Sequence, residues 1–312
     1  MANKEKNFAS AIIYVHNAGG RIENFLKTII GVMEGNFEHS EIICVNDSSD
    51  DNSLSLIKKT SECASTTSVA VINMSYFHGL ELSMSAGIDM SIGDFVFEFD
   101  NTYLDFEPSV VMDIYNRSLK GYDIVSASAD RKEKPTSKMF YKVFDRYTDL
   151  SYKMSTESFR VLSRRVLNRI DSMNKTIPYR KAVYANCGLK TDNIKYQVVN
   201  QVSMSTDKKE KTFRSNLAVD SLILFTEMGY SFAKAMTVLM MCMSVFMIVY
   251  SAVIYATANP VAGWTTTILF LSVAFFGLFG ILTIVIKYLQ LLVDLVFKRK
   301  RYSFESIEKL TK

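Results

Sequence analysis

Polar side chains stand directly after three apolar, β-branched runs of this 312-residue chain. His16 and Asn17 follow the first run, Asp47–Asp51 the second and Asp100–Thr102 a later one. Carboxylates and hydroxyls there could accept hydrogen bonds from a nucleotide or hold a hard divalent cation. The chain has neither a G-x-G-x-x-G turn after the first run nor a Walker phosphate loop. Phosphate would therefore be held by carboxylates, with or without a metal, and by basic side chains.

The elements that must position these side chains alternate along the first 130 residues. Short apolar runs and longer amphipathic segments take turns, which predicts an α/β fold with a mostly parallel sheet and helices on both faces. Ligands of such folds bind beyond the carboxyl ends of the strands, where the polar groups lie. The predicted strands are Ala11–Val15, Glu41–Asn46, Val69–Met74, Phe95–Phe99 and Asp123–Ala127, and the predicted helices are Gly20–Met33, Asp51–Cys63, Leu80–Met90 and Pro108–Lys120.

Two uncharged apolar stretches near the C-terminus, Met236–Ala256 and Trp264–Ile286, predict a transmembrane hairpin over residues 233–286. At about 1.5 Å per residue each is long enough to cross a hydrocarbon core of roughly 30 Å. Basic residues crowd both outer flanks, which places the flanks in the cytoplasm. A buried helical hairpin in a soluble protein is the alternative. We expect a multi-pass protein of the inner (cytoplasmic) membrane whose large domain and both termini are cytoplasmic, and the polar N-terminus predicts no cleaved signal peptide.

Charge and cysteine content fit this division. The formal net charge is only +4, and the excess lies near the predicted membrane ends, so it favours a lipid bilayer with anionic headgroups over nucleic acid as partner. The four cysteines show no paired metal spacing and are interpreted as reduced thiols. Two amphipathic helices are predicted at headgroup level, Phe213–Met228 and Tyr288–Val296. The predicted regions are 1–206 (one globular domain), 207–232 (interfacial helices), 233–286 (hairpin) and 287–312 (amphipathic helix and basic tail).

Several short motifs are distributed over nearly the whole chain. They are Ile12–Asn17, Glu41–Asp51, Gly79–Glu81, Ala86–Asp89, Gly93–Asp94, Asp100, Ser158–Val166, Gly263–Trp264 and Lys298–Tyr302. Together they resemble the family 2 glycosyltransferases of the GT-A fold, in particular the branch that acts on polyprenyl phosphates. The resemblance implies a nucleotide-sugar donor, a polyprenyl phosphate acceptor and inverting transfer of one sugar, for cell-surface glycan assembly.

The resemblance implies that Asp47 accepts a hydrogen bond from the nucleotide base, whereas the residue type alone would also suit a cap of the following helix. Ser49 or Asp50 is then expected to cap that helix. Asp100 begins the D-x-D motif of the family, which normally holds a divalent cation. Here Thr102 replaces the second carboxylate, so Mg²⁺ or Mn²⁺ would rest on Asp100 with Thr102 as a weak ligand.

Three family positions differ in this chain. Besides Thr102, the motif after the first strand lacks its proline and glutamate, and Ser158 replaces the acid that serves relatives as a base. Glu157 is then the only carboxylate of that window. The implied donor-site residues are His16, Asn17, Asp47, Asp100, Asn101 and Arg131; the catalytic residues are Asp100, Glu157 and Arg160; and the acceptor phosphate would bind Arg160 and Arg164, both expected on one helix, with Lys209, Lys211 and Arg214.

Two other hypotheses remain open at this point. The altered positions would suit a catalytically weakened member that serves as a binding or assembly subunit. They would also suit a transferase with another membrane-bound saccharide as acceptor. Gly277 and Gly280 could permit the close helix packing of a homo-oligomer.

Overall fold

The computed structural model describes residues 4–131, 141–142, 156–172, 179–199, 263–297 and 302–311, with isolated residues between 216 and 246. The chain divides into two compact units. The head unit comprises Met1–Asp145, Asp149–Ala218 and Lys300–Lys312, and the second unit comprises Arg146–Thr148 and Val219–Arg299.

An eight-stranded sheet of order β7-β5-β6-β4-β1-β2-β3-β8 forms the centre of the head unit. Strands β6 and β8 run antiparallel to their neighbours, and the other pairs are parallel. The predicted mixed, mostly parallel α/β fold is thereby confirmed. The strands are β1 Ala9–Val15, β2 Ser40–Asn46, β3 Ser68–Met74, β4 Phe95–Phe99, β5 Ile124–Ala129, β6 Phe159–Ser163, β7 Thr191–Tyr196 and β8 Phe304–Lys309.

Within the head unit, helices connect the parallel strands and cover the sheet. The described helices are α1 Ile22–Asn36, α2 Ser53–Ser61, α3 Leu80–Met90, α4 Ser109–Ser118, α5 Arg164–Ser172, α6 Arg180–Asn186 and, in the second unit, α7 Gly263–Phe297. The elements predicted over the first 130 residues all form, with ends shifted by a few residues, because their apolar periodicity is strong.

Both faces of the sheet are buried. Along β1, Ala11 and Ile13 belong to one apolar cluster, whereas Ile12 and Tyr14 belong to the other. A strand buried on both faces is apolar throughout instead of alternating, which is the pattern of this run. The carboxyl ends of β1, β2 and β4 are thus held at one edge by a packed core.

Helix α3 approaches the sheet closely at Gly87. A Cβ atom there would lie 2.9 Å from Cγ2 of Val45 and closer still to Cγ2 of Ile12. Such distances are shorter than real Cβ contacts, so only glycine fits without a shift of the helix. This close packing brings the start of α3 next to the end of β2.

The C-terminal region differs from its prediction. The helix predicted over Tyr288–Val296 forms as the last part of α7, which continues to Phe297, and Phe304–Lys309 within the predicted basic tail form the unexpected strand β8 on the edge of the head sheet. Trp264–Ile286 lies inside α7, whereas most of Met236–Ala256 and of the predicted interfacial segment 207–232 lies outside the described residues. Over the described part of the chain we find no helix with the length and hydropathy that crossing a bilayer requires. Both membrane spans therefore stay predictions.

Candidate active site

The loops after β1 and β2 meet at the carboxyl edge of the sheet. Asn17 and Ser48 adopt φ values of 46° and 50°, a left-handed conformation that costs energy in residues with a side chain. The Asn17 carboxamide oxygen accepts a hydrogen bond from the Asp50 backbone N–H at 2.9 Å, and the Asn17 N–H donates to Ser49 Oγ at 3.1 Å. These bonds hold the two loops in their unusual backbone conformation.

Asp47 is fully buried at the end of β2. Its carboxylate accepts hydrogen bonds from Tyr14 Oη at 3.0 Å and from the backbone N–H groups of His78 and Gly79, each at 2.8 Å. Gly79 has a φ of 81° and a ψ of 166°, which a residue with a Cβ rarely adopts. Asp47 therefore fixes the loop between β3 and α3, and its predicted contact with a nucleotide base stays a prediction.

The prediction that Ser49 or Asp50 caps α2 was wrong: the N-cap residue is Asn52, and its side chain makes no capping hydrogen bond. Helix α2 begins at Ser53, and its backbone N–H donates to Asp51 Oδ1 at 3.0 Å. Asp51 Oδ2 also accepts a bond from the Gly19 N–H at 2.7 Å. Ser49 and Asp50 are engaged with Asn17 instead, because the left-handed turn at Ser48 directs them toward the β1 loop.

His16 contributes to the same edge. Its Nδ1 donates to the Asp47 carbonyl oxygen at 2.7 Å, and its ring lies 4.7 Å from that of Phe77 between centroids. His16 therefore connects the β1 loop to the loop between β3 and α3. Its predicted contact with the nucleotide-sugar stays a prediction.

Asp100, at the end of β4, is clamped between two buried arginines. Nη2 of Arg160 lies 2.9 Å from Asp100 Oδ2, and Nη2 of Arg180 lies 2.8 Å from Oδ1. Arg160 comes from β6, which pairs with β4, and Arg180 is the first residue of α6. The expectation that Arg160 lies on a helix was wrong: the run Phe159–Ser163 is apolar enough to form a strand beside β4, and the helix begins only at Arg164.

Further carboxylates surround the two arginines. Glu98, fully buried in β4, accepts hydrogen bonds from Arg160 Nη1 at 2.6 Å and from Tyr184 Oη at 2.7 Å. Arg180 Nη1 lies 2.9 Å from Glu98 Oε1, the oxygen that accepts from Tyr184, but it is not aligned for a hydrogen bond. Two more ion pairs join Arg160 Nε to Glu157 at 3.1 Å and Arg180 Nε to Glu81 at 2.9 Å. We call the whole set the buried network; it consists of Glu81, Glu98, Asp100, Glu157, Arg160, Arg180 and Tyr184.

In the buried network, each charged group favours the charged form of its oppositely charged neighbours. Burial by itself raises the pKa of the Asp100 carboxyl, but Arg160 and Arg180 outweigh burial and hold that pKa well below its usual range. Burial lowers the pKa of both guanidinium groups, and the surrounding carboxylates raise it well above its ordinary value. Burial and the adjacent Glu98 raise the pKa of Tyr184. Asp100 is thus ionised and Tyr184 is a neutral hydrogen-bond donor at neutral pH.

The structure brings Glu157, Arg160 and Asp100 together but separates Arg164 and Arg131 from them. Arg164 Nε donates to the Gly93 carbonyl at 2.8 Å, and Arg131, 42% exposed, lies 3.7 Å from Asp105. Asn101 accepts a hydrogen bond from the Tyr103 N–H through its own side chain. Lys209, Lys211 and Arg214 lie outside the described residues.

Sequence reasoning missed Glu81, Glu98, Arg180 and Tyr184. Glu98 carried a usable signal, since a charge in the middle of the apolar run Phe95–Phe99 must be buried and therefore paired. Arg180 carried none, because its neighbours in sequence do not indicate which strand end it reaches.

The two predicted metal ligands, Asp100 and Thr102, both accept hydrogen bonds from arginine side chains. Each Asp100 oxygen already accepts a guanidinium hydrogen bond, and Thr102 Oγ1 accepts one from Arg21 Nε at 3.4 Å. Within the described residues no group of three or more His, Cys, Asp or Glu side chains is placed to hold a metal ion. The expected Mg²⁺ or Mn²⁺ stays a prediction.

Comparison with known proteins adds a family match. The model of the family described as glycosyl transferase family 2 matches residues 10–171. An uncharacterized glycosyltransferase of Synechocystis sp. is 31% identical over 57% of this chain and 57% of its own length. A prophage bactoprenol glucosyl transferase homolog of Escherichia coli is 26% identical over 70% of this chain and 72% of its own length. Among solved structures, a mannosyltransferase from Pyrobaculum calidifontis in complex with GDP-Man and Mn²⁺ matches with a TM-score of 0.49 and 11% identity over 95% of this chain and 89% of that one.

Proposed function

Since this chain belongs to glycosyl transferase family 2 and is a glycosyltransferase, we propose that it moves one sugar from a nucleotide-sugar to a polyprenyl phosphate at a membrane surface. The observation that carries the proposal is the similarity to a relative named as a bactoprenol glucosyl transferase homolog, which extends over 72% of that relative's length. The acceptor, the membrane and the stereochemistry belong to the proposal, whereas the transferase activity follows from the family.

In the proposed reaction a phosphate oxygen of the acceptor attacks the anomeric carbon of the sugar. The bond from that carbon to the donor diphosphate breaks, and its electron pair leaves with the nucleoside diphosphate. Attack from the side opposite the leaving group inverts the configuration of the anomeric carbon. Catalysis of this kind depends on positioning and on stabilising charge on the leaving group.

The placement of Glu157 supports a phosphate acceptor over a hydroxyl acceptor. A hydroxyl needs a free base to remove its proton, but the Glu157 carboxylate is engaged by Arg160 Nε at 3.1 Å. A phosphate monoester, with a second pKa of about 6, is already anionic at neutral pH and needs no base.

The proposed membrane attachment rests on sequence. The apolar stretches Met236–Ala256 and Trp264–Ile286 and their basic flanks would keep the head unit at the cytoplasmic face of the inner membrane. A polyprenyl tail would remain in the bilayer while its phosphate is presented to the head unit. A homo-oligomer built on close packing at Gly277 and Gly280 belongs to the same proposal.

The test uses the full chain in lipid nanodiscs with undecaprenyl phosphate and a panel of UDP- and GDP-sugars, each with Mg²⁺, Mn²⁺ or a chelator. We expect one donor to yield a sugar-phosphate lipid, detected by mass spectrometry, and undecaprenol without its phosphate to yield none. Transfer to undecaprenol, or transfer only to a lipid-linked saccharide, would overturn the proposed acceptor. Full activity in chelator would show that the transfer needs no divalent cation.

A further inference from the structure

The C-terminal strand β8 lies beside the loop that holds Asp47. Its lead-in residue Ser303 donates its backbone N–H to His78 Nε2 at 3.1 Å, and its carbonyl oxygen accepts a hydrogen bond from the Ser75 N–H at 3.1 Å. Ser75 to Gly79 form the connection between β3 and α3. A segment more than 200 residues later in the chain thus supports one of the loops at the carboxyl edge of the sheet.

His78 passes this support on to Asp47. The side chain is 5% exposed, and its Nδ1 lies 2.6 Å from the Tyr76 carbonyl oxygen, which can only accept. Nδ1 therefore carries the proton, and Nε2 is free to accept the Ser303 N–H. The backbone N–H of the same residue donates to Asp47 Oδ1 at 2.8 Å. One residue therefore connects the C-terminal strand to the carboxylate.

We infer that Ser303 and His78 are positioning residues of the donor site: the Ser303 N–H fixes His78, and His78 with Gly79 orients the Asp47 carboxylate toward the nucleotide. The inference rests on the proposed function for its nucleotide-sugar donor, and it takes Asp47 to be the nucleotide contact that the family resemblance implies. The affinity for the nucleotide then depends on the hydrogen bond between Ser303 and His78, although neither residue contacts the nucleotide.

Strand β8 is anchored independently of this bond, which allows a selective test. It pairs with β3 from Ala70 to Met74, and at its far end Thr311 Oγ1 accepts a hydrogen bond from the Val69 N–H at 2.8 Å. Removing the Ser303 N–H should therefore leave the strand in place. Removing the Thr311 hydroxyl disturbs the strand without touching the loop, so Thr311→Val is the matched control.

The experiment measures binding of UDP and GDP to the full chain in nanodiscs by calorimetry. Ser303→Pro, which lacks the N–H, should weaken the nucleotide that the wild type binds by about three- to ten-fold, the loss expected for one hydrogen bond. Ser303→Ala, which retains the N–H, should restore the affinity, and Thr311→Val should not reduce it. Equal affinity of Ser303→Pro and wild type, or an equal loss in Thr311→Val, would overturn the inference.

A second pair of variants guards against misfolding at the introduced proline. His78→Gln keeps an acceptor near the position of Nε2, whereas His78→Leu removes it. We expect His78→Leu to bind the nucleotide more weakly than His78→Gln at the same thermal midpoint, and equal binding by both variants would contradict the inference. If nucleotide binding responds as expected but no sugar reaches undecaprenyl phosphate, the proposed acceptor fails and the inference stands. If the wild type binds neither UDP nor GDP, both fail.

Discussion

Replacement of Glu98 by glutamine tests whether the buried network is held together by its central carboxylate. Glu98 bonds Arg160 through one oxygen, while Tyr184 and Arg180 lie against the other. Glutamine has the same shape but only one acceptor oxygen and no charge. Its NH2 group must therefore replace either the oxygen that faces Arg160 Nη1 or the oxygen that faces Arg180 Nη1, so a donor meets a guanidinium donor in either orientation.

The expected cost follows from the groups left without a partner. An orphaned buried donor costs about 1–3 kcal/mol, and loss of one partner of a buried ion pair costs about 3–5 kcal/mol. Arg160 and Arg180 each keep other carboxylates, Asp100 among them, so the lower part of the second range applies. We expect the free energy of unfolding of the head unit to fall by about 3 kcal/mol and its thermal midpoint by about 6–12 °C.

The measurement is urea and thermal unfolding of the full chain at pH 7, followed by near-UV circular dichroism. Glu23→Gln is the control, because it makes the same chemical change in the exposed pair with Lys27 on α1 and should leave the midpoint unchanged. A loss of no more than about 0.5 kcal/mol in Glu98→Gln would refute the reasoning, since exposed surface substitutions commonly cost that much. It would mean that Asp100 and the other carboxylates suffice to hold both arginines.

Three further predictions concern the fold. Gly87→Ala should destabilise the head unit by about 1–3 kcal/mol through overpacking, whereas Gly35→Ala on α1, where nothing lies within 4 Å, should not; urea unfolding distinguishes them. Burial raises the pKa of the Cys44 thiol to about 12, so native protein should react with iodoacetamide at exposed Cys63 and not at Cys44 until it is unfolded, as read by peptide mass spectrometry. The pKa of Asp100 is lower in the folded protein than the value of about 3.9 that it has in the unfolded chain. The ionised carboxylate therefore adds stability that is fully present above about pH 3.9 and is lost as the pH falls below that value. In urea titrations between about pH 4 and 2, the wild type should lose stability more steeply than Asp100→Asn.

The sheet was predictable from sequence because its central strands are buried on both faces. Runs such as Ala11–Val15 and Phe95–Phe99 are recognisable as strands from their continuous apolar residues, and the helices between them show apolar residues at helical spacing. Strand β8 was missed because Phe304–Lys309 contains only two apolar residues, Phe304 and Ile307, and follows a basic segment that suggested a tail. Edge strands depend on a partner far away in sequence, which a local pattern does not reveal.

The candidate site was predictable only where residues follow strands directly. Asp47 and Asp100 stand at strand ends, and a parallel sheet brings such ends to one edge. Their partners come from elsewhere: Arg180 belongs to a helix 80 residues after Asp100, and His78 reaches Asp47 through its backbone N–H. A backbone donor has no signature in sequence, so the reason for the burial of Asp47 could not be derived from residue types.

Because Asp100 pairs with both Arg160 and Arg180, a substitution of Asp100 affects stability as well as any metal site. Asp100→Asn would remove a carboxylate from a metal or donor, but it would also leave Arg160 and Arg180 each short of a buried partner. Loss of turnover in this variant therefore identifies a metal ligand only if its free energy of unfolding is unchanged. Thr102→Asp adds the second carboxylate of the D-x-D motif at a side chain whose hydrogen bond is to Arg21, and it leaves the Asp100 carboxylate itself in place. A gain of metal affinity in Thr102→Asp with an unaltered thermal midpoint would separate metal binding from the role of Asp100 in holding β4, β6 and α6 together.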